Sequence, residues 1–127
     1  MGYHNEYQTS IDDPAAFWQE KSSLIQWTTP PGKTLSRDEN GHYLWYADGE
    51  LNSSYLALDY HVENGRGEQA ALIYDSPVTG TCEQYTYREL TEKVARFAGA
   101  LQSLGVCRGE RVIIYMPMIP EAVVAML

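Results

Sequence analysis

Residues 86–115 read TYRELTEKVARFAGALQSLGVCRGERVIIY, and this stretch decides the fold. Thr86 and Glu89 have the spacing of a capping box, in which each side chain binds the other residue's backbone amide. Apolar residues then recur every three or four positions, which predicts an amphipathic helix. These residues are Leu90, Val94, Phe97, Leu101 and Leu104. Gly105 suits the left-handed position that ends such a helix.

Strands are predicted on both sides of this helix. The run 111–115 is almost continuously apolar, as in a strand that is covered on both faces. Before the helix, residues 70–87 predict a hairpin of two strands with a polar turn. Strand, crossover helix and buried strand make a βαβ unit with a right-handed crossover. The second half of the chain is therefore expected to open an α/β sheet.

The chain up to about residue 65 predicts short helices and irregular segments. Asp13 can cap a helix that begins at Pro14, and a Pro-Pro-Gly sequence ends it. The aromatic-rich stretch that leads to Asn52 has no regular period, which is typical of a segment pinned to another surface by large side chains. Ser53 can cap a second helix, which Gly65 ends.

Residues 120–127 predict the first two turns of a helix that has no capping signal at its end. This segment is apolar on nearly every face, so it needs burial against further protein. We therefore expect the chain to be the front of a longer protein. We also expect that the isolated chain can self-associate through residues 120–127.

Composition excludes several classes of partner. The formal net charge of −8 argues against binding to nucleic acid or to an anionic membrane. No apolar run approaches the roughly 18 residues that span a bilayer, and the polar start is unlike a signal peptide. The two cysteines, Cys82 and Cys107, are expected to be free thiols. These features favour the cytoplasm, or an organelle matrix in a eukaryote, over secretion.

The sequence shows no active site by residue spacing. It contains no glycine-rich phosphate loop, no paired histidines and no nucleophile elbow. Arg108 and Arg111 could meet a phosphate or could lie in a solvated loop. The acidic residues Asp12, Asp13, Asp38 and Glu39 are interpreted as cap and turn residues rather than an acid/base pair. The three histidines, His4, His42 and His61, are far apart in the sequence and do not have the spacing of a metal site. We nominate no catalytic, cofactor-binding or metal-binding residue.

Several stretches in order nevertheless resemble the N-terminal part of an AMP-forming acyl-CoA synthetase of the acetyl-/propionyl-CoA synthetase type. They are Asp13-Pro14 with Phe17-Trp18 and later Trp27, residues 45–52, residues 58–61, residues 85–90 and residues 109–121. Tyr60 departs from the pattern, because that family has arginine in its Leu-Asp-Arg-His motif. The resemblance covers nearly all of this chain but only the front fifth or so of a typical member.

The resemblance implies an N-terminal extension over residues 1–65 and the start of the AMP-binding α/β domain over residues 66–127. The parent protein would use ATP, Mg²⁺ and coenzyme A to convert a short carboxylate, through an acyl-adenylate, into acyl-CoA, AMP and pyrophosphate. The family's phosphate loop, adenine-binding segment and late catalytic lysine have no counterpart here. The chain alone is thus expected to be structural and inactive, and its main partner would be the rest of its own polypeptide.

Residues 63–67 and 73–79 look more like propionyl-type members than acetate enzymes. Three alternatives stay open at this stage. The chain could be a stand-alone interaction module derived from a synthetase front end. It could also be a non-enzymatic domain that binds a small ligand, or part of another adenylating enzyme such as an acetoacetyl-CoA ligase.

Overall fold

The computed structural model describes residues 2–127, and it divides into two compact units. The first unit ends at Asn52, and the second runs from Ser53 to Leu127. Both units combine helices with a small antiparallel sheet. The predicted mixed α/β class is therefore confirmed, while the strand connections differ from the prediction in one respect described below.

The first unit contains two helices and a short hairpin. Helix α1 spans Tyr3–Asp12 and helix α2 spans Pro14–Ser22. Strands β1 (Leu35–Arg37) and β2 (Tyr43–Trp45) pair antiparallel, with Arg37 opposite Tyr43. Neither α1 nor this hairpin is predicted by the sequence pattern. Their signals are weak because α1 is mostly polar and each strand has only three residues.

The start of α2 follows the sequence prediction. The Asp13 side chain accepts a hydrogen bond from the amide of Ala16 at 3.0 Å, and Pro14 occupies the first helical position. Such a cap satisfies one of the free amides at the helix start. Asp13 is thus a cap residue, as its sequence context indicates.

Aromatic side chains hold the irregular part of the first unit in place. The indole nitrogen of Trp27 donates to the carbonyl of Ser22 at 2.9 Å, and the Trp27 ring lies 5.4 Å from that of Tyr46. The Tyr46 hydroxyl in turn donates to the carbonyl of Trp18 at 2.8 Å. Large rings with one polar atom can fix irregular chain in this way.

The second unit begins with two short helices and a hairpin. Helix α3 spans Ser53–Ala57, and helix α4 spans Asp59–His61 and ends in a turn at Gly65, whose φ is 77°. Strands β3 (Ala70–Ser76) and β4 (Thr81–Thr86) pair antiparallel. The predicted hairpin over 70–87 is confirmed.

Helix α5 spans Tyr87–Ser103 and has both predicted caps. At its start, the Thr86 amide donates to the Glu89 carboxylate at 2.8 Å, and the Glu89 amide donates to the Thr86 hydroxyl at 3.2 Å. At its end, Gly105 has φ 89°, and the amide of Val106 donates to the carbonyl of Leu101 at 3.1 Å. These contacts complete the capping box and a Schellman motif.

The capping box makes stability depend on pH. Hydrogen bonds from Thr86 lower the pKa of Glu89 below its usual value of 4.5. Because the folded state favours the carboxylate, its stabilising effect is present above pH 4.5 and is lost as pH falls through the lowered pKa. We expect Glu89→Gln to remove this part of the acid destabilisation, measured by urea unfolding between about pH 3 and pH 7. Glu92→Gln, on the same helix, is the control and should keep the wild-type profile.

The core of the second unit lies between α5, the Leu58 loop and helix α6, which spans Pro120–Met126. Leu58 is 1% exposed, and Leu90 and Val94 are also buried. The partly buried residues that pack on them include Val123, Val124 and Leu127. The apolar face of 122–127 is therefore largely used inside this unit. This corrects the expectation that residues 120–127 find no cover within this chain, although Met126 is exposed. Self-association through residues 120–127 stays a prediction.

The predicted buried strand at 111–115 is wrong for the residues described. Within residues 2–127, β3 and β4 pair only with each other, and no strand pairs with 111–115. The side chains of Val112 and Ile113 are 47% and 89% exposed. A strand exists through its ladder of hydrogen bonds, so an apolar run without a neighbouring strand does not become one. The βαβ unit is consequently not formed here.

Candidate functional site

The three histidines lie on separate elements. His4 is in α1, His42 follows β1, and His61 ends α4. Within residues 2–127, no group of three or more His, Cys, Asp or Glu side chains is placed to hold a metal ion. Cys82 and Cys107 are exposed free thiols, as the sequence predicts.

Asp38 organises the turn between β1 and β2. Its carboxylate accepts from the amides of Asn40 and His42 at 2.9 and 2.8 Å, and the Nδ1 atom of His42 lies 3.0 Å away. The bond from the His42 backbone is the main reason why the pKa of Asp38 is lowered. This pattern is that of a turn residue that binds the amides following it. The turn interpretation of Asp38 is confirmed.

His61 is packed as an aromatic ring. Its ring centroid lies 4.5 Å from that of Tyr87 and 5.6 Å from that of Tyr60. The Nδ1 atom is buried without a hydrogen-bond partner. Burial lowers the pKa of His61, and the nearby Arg66 lowers it further. The imidazole is therefore favoured in its neutral form, which suits packing better than proton transfer.

Tyr60 occupies the position where the resembled motif has arginine, and the side chain of a nearby arginine, Arg66, contacts the Tyr60 ring. The Arg66 guanidinium lies 5.9 Å from the centroid of the Tyr60 ring. A guanidinium at this distance is attracted by the ring's negative face. The contact holds the turn after α4 to the helix itself.

Arg88 joins the start of α5 to the segment before β3, a contact that the sequence analysis missed. Its Nε atom lies 2.8 Å from the Glu68 carboxylate, which raises the pKa of Arg88. Its guanidinium also covers Gly67, where an added Cβ would lie 2.8 Å from Nη2. The only sequence signal was a glycine near a charged pair, which is too common to be specific. Both side chains of this ion pair are largely exposed. We therefore assign Arg88 the role of positioning the start of α5 against the segment before β3.

Two hollows flank α6 in the second unit. One, of about 200 Å³, is mostly apolar and has Lys93 and Glu121 as its charged lining residues. The Lys93 ammonium also lies 4.9 Å from the Tyr85 ring, and the hydrogen bond to Glu83 raises the pKa of Tyr85 to about 12. The other hollow, of about 260 Å³, lies between β3 and the start of α6 and has Asp75 as its charged residue.

Neither hollow fits a nucleoside triphosphate. A triphosphate needs several cations or converging amides, whereas these linings offer one ammonium against two carboxylates. A third hollow, of about 140 Å³ in the first unit, holds Lys21 between Glu6 and Glu20 at 3.6 and 3.5 Å. The absence of catalytic, cofactor and metal residues from this chain stays a prediction.

The two arginines of the 107–111 loop are both exposed. Between them Gly109 has φ 93°, and the amide of Cys107 donates to the Glu110 carboxylate at 2.6 Å. The loop is thus closed by its own acidic residue. This arrangement favours the solvated-loop interpretation of Arg108 and Arg111 over a phosphate contact.

Of the helices in the described range, none is both long and apolar enough to cross a membrane.

Comparison with known proteins gives two consecutive family matches. Residues 3–57 match the model of the acetyl-coenzyme A synthetase N-terminus, and residues 59–127 match that of the AMP-binding enzyme. A relative is the mitochondrial acyl-CoA synthetase short-chain family member 3 of Bos taurus. It is 45% identical over 125 residues, which cover 98% of this chain and 18% of that protein.

Two further relatives agree with these matches. The acetyl-coenzyme A synthetase of Desulfatibacillum aliphaticivorans is 44% identical over 127 residues, covering 98% of this chain and 20% of that protein. The structure of acetoacetyl-CoA synthetase from Streptomyces lividans is similar with a TM-score of 0.83 and 31% identity, covering 99% of this chain and 19% of that one. The chain spans about a fifth of the length of the relatives it matches. Since the second family model alone covers more than half of the sequence, the chain belongs to the family of AMP-binding enzymes.

Proposed function

We propose that this chain is the N-terminal part of an AMP-forming acyl-CoA ligase. The parent enzyme would convert a short carboxylate, such as propionate or acetate, together with ATP and coenzyme A into acyl-CoA, AMP and pyrophosphate. The observation that carries the proposal is the order of the two family matches, an acetyl-coenzyme A synthetase N-terminus followed directly by an AMP-binding segment. The relatives named as synthetases match across the same residues.

The contribution of the chain to this reaction would be structural. Its described residues build a packed core around Leu58 and a capped helix α5, while the two described hollows that flank α6 do not suit a triphosphate. ATP, Mg²⁺ and coenzyme A would accordingly be held by later parts of the parent protein. We keep the prediction that the isolated chain neither forms an acyl-adenylate nor binds coenzyme A specifically.

We propose that residues 1–65 form an N-terminal extension and that residues 66–127 form the start of the AMP-binding domain. The compact units meet at residues 52 and 53, and the family matches meet at 57 and 59. These positions support a division within the segment 52–59, shortly before the proposed boundary. The proposed partners are the rest of the same polypeptide and a small carboxylate, and not nucleic acid or membrane, given the net charge of −8.

We also propose that the carboxylate is propionate rather than acetate. This proposal rests on residues 63–67 and 73–79, which look more like propionyl-type members of the family than acetate enzymes. Identity does not select an acid, since the relatives named as an acyl-CoA synthetase short-chain family member and as an acetyl-coenzyme A synthetase are 45% and 44% identical to this chain. The acetoacetyl-CoA synthetase is less similar, at 31%.

We propose the cytoplasm or an organelle matrix as the compartment, which fits a relative named as mitochondrial.

The test is ATP–pyrophosphate exchange by the longer protein that contains this chain, with acetate, propionate, butyrate and acetoacetate supplied separately. We expect exchange that depends on the acid, with propionate giving the highest kcat/KM. The isolated 127-residue chain at the same concentration is the matched control and should give none. If none of the four acids supports exchange, the ligase proposal is contradicted. If acetoacetate gives the highest kcat/KM, acetoacetate replaces propionate as the proposed substrate.

A further inference from the structure

The ring of His61 lies where α4 meets the start of α5, beside an aromatic ring of each helix. Its centroid is 4.5 Å from the ring of Tyr87, the first residue of α5, and 5.6 Å from the ring of Tyr60 in α4. The imidazole is partly exposed as a whole, whereas its Nδ1 atom is buried and has no hydrogen-bond partner. Residues of this chain alone thus keep Nδ1 away from water.

A buried Nδ1 atom without a partner suits only one protonation state of the ring. In the neutral ring that carries its proton on Nε2, Nδ1 is an acceptor. In the protonated ring, Nδ1 is a charged donor, and a buried charged group without a partner is more costly than a neutral one. The face of a tyrosine ring attracts an imidazolium, but it does not replace the missing acceptor. The protonated ring must therefore turn outward until Nδ1 reaches water.

The charged groups described around His61 on α4 and beside it do not supply that acceptor. Helix α4 packs against α3, the turn that follows α4, and α5. The turn contributes Arg66, a second cation whose charge also lowers the pKa of His61. The Glu63 carboxylate of the same turn accepts a hydrogen bond from the Tyr55 hydroxyl of α3 at 2.7 Å. Asp59 lies two positions before His61, a spacing at which side chains of a helix do not face each other.

The charged side chains in the first turn of α5 are already paired. The Arg88 guanidinium lies 2.8 Å from the Glu68 carboxylate. The Glu89 carboxylate accepts from the Thr86 amide at 2.8 Å, as part of the capping box. This end of α5 therefore meets the imidazole with the Tyr87 ring.

We propose that His61 is a pH switch at the junction of α4 and α5, where protonation moves its ring away from Tyr87 and loosens the segment before β3 from the start of α5. Two backbone bonds hold that segment. In them the amides of Tyr87 and Arg88 donate to the carbonyls of Gln69 and Gly67 at 3.1 and 3.0 Å. This inference concerns the 127-residue chain and does not rest on the proposed ligase activity.

The direction of the pH effect follows from the preference for the neutral ring. Burial lowers the pKa of His61 below its usual value of 6.5, so the closed junction binds the proton less well than the open one. The stabilising effect of the neutral ring is fully present above pH 6.5 and is lost as pH falls through the lowered pKa. The Glu89 capping box responds only below its usual pKa of 4.5. The two effects are therefore separate between about pH 5 and pH 7.

The first test is an NMR titration of the wild-type chain from about pH 7 to pH 5, with amide hydrogen exchange measured at each pH. We expect the His61 ring to titrate below 6.5. The protection factors of the Tyr87 and Arg88 amides should fall at least about threefold over this range, while amides 95–101, further along α5, keep theirs. A His61 ring that titrates at 6.5 or above overturns the proposal. An equal fall throughout α5 also overturns it, because the whole unit would then be unfolding.

The second test replaces the titrating ring with a ring that cannot titrate. His61→Phe should abolish the fall in protection at Tyr87 and Arg88, with helix content unchanged by circular dichroism. His4→Phe is the matched control, because His4 is exposed on α1 in the first unit, and it should keep the wild-type response. A fall that persists in His61→Phe, or that also disappears in His4→Phe, overturns the proposal. The wild-type titration needs no substitution and decides the question if His61→Phe fails to fold.

Discussion

Replacing Leu58 with alanine is expected to lower the free energy of unfolding of the second unit by about 2–5 kcal/mol. Leu58 is the most buried large side chain described, at 1% exposed, and it packs with Leu90 and Val94. Truncation removes the transfer free energy of the lost methyl groups and leaves a cavity that neighbouring helices fill only in part. Since a domain of this size is marginally stable, much of the unit should unfold at 37 °C.

The measurement is urea unfolding followed by far-ultraviolet circular dichroism, with amide hydrogen exchange in α5 as a local readout. The matched control is Leu104→Ala, because Leu104 is 80% exposed at the end of α5. It should change stability by less than about 0.5 kcal/mol. Equal effects of the two substitutions would contradict the position assigned to the core.

Replacing Gly49 with alanine should destabilise the first unit by about 1–3 kcal/mol through overpacking. A Cβ at this position would lie 2.9 Å from Cζ3 of Trp27 and 3.1 Å from Cβ of Pro31. Pro31 is buried, and the Trp27 indole is tied to Ser22 by its hydrogen bond. The neighbours on both sides are therefore held, so the strain has little room to relax.

Tryptophan fluorescence during urea unfolding reports on this substitution, because Trp27 is one of the affected rings. Gly99→Ala supplies the control. Gly99 lies inside α5, and nothing is within 4 Å of the position of an added Cβ. That substitution should stabilise the helix by about 0.5–1 kcal/mol. If Gly49→Ala instead leaves stability unchanged or raises it, the packing of Trp27 described here is wrong.

Local signals were enough to predict helix α5 and its flanking hairpin. Thr86, Glu89 and Gly105 act within one or two turns of chain, so their spacing alone specifies both ends of the helix. The Asp13 cap at the start of α2 is predictable for the same reason. Such features need no knowledge of which distant residues meet.

Features that depend on partners distant in sequence were missed or wrongly assigned. Residues 111–115 have the composition of a buried strand, but a strand requires a neighbour that composition does not reveal. The short hairpin β1–β2 has three cross-strand residue pairs, among them Arg37–Tyr43, and is closed by the Asp38 turn. Isolated pairs of this kind have no periodic pattern to reveal them.

The candidate-site residues follow the same rule. That Asp38 is a turn residue could be inferred from its neighbours, and the structure confirms it. The contacts of Arg88 with Glu68 and of Arg66 with Tyr60 could not, because charged side chains near glycine are common on protein surfaces. The family resemblance is different in kind, since it rests on the order of several weak motifs along the whole chain.

The most direct measurement on the central claim is to read the native gene beyond the codon for Leu127. The proposed ligase predicts a continued reading frame that carries a Ser/Thr/Gly-rich phosphate loop and, late in the sequence, a lysine of a mobile domain. A stop codon directly after Leu127 would contradict the claim that this chain opens a ligase.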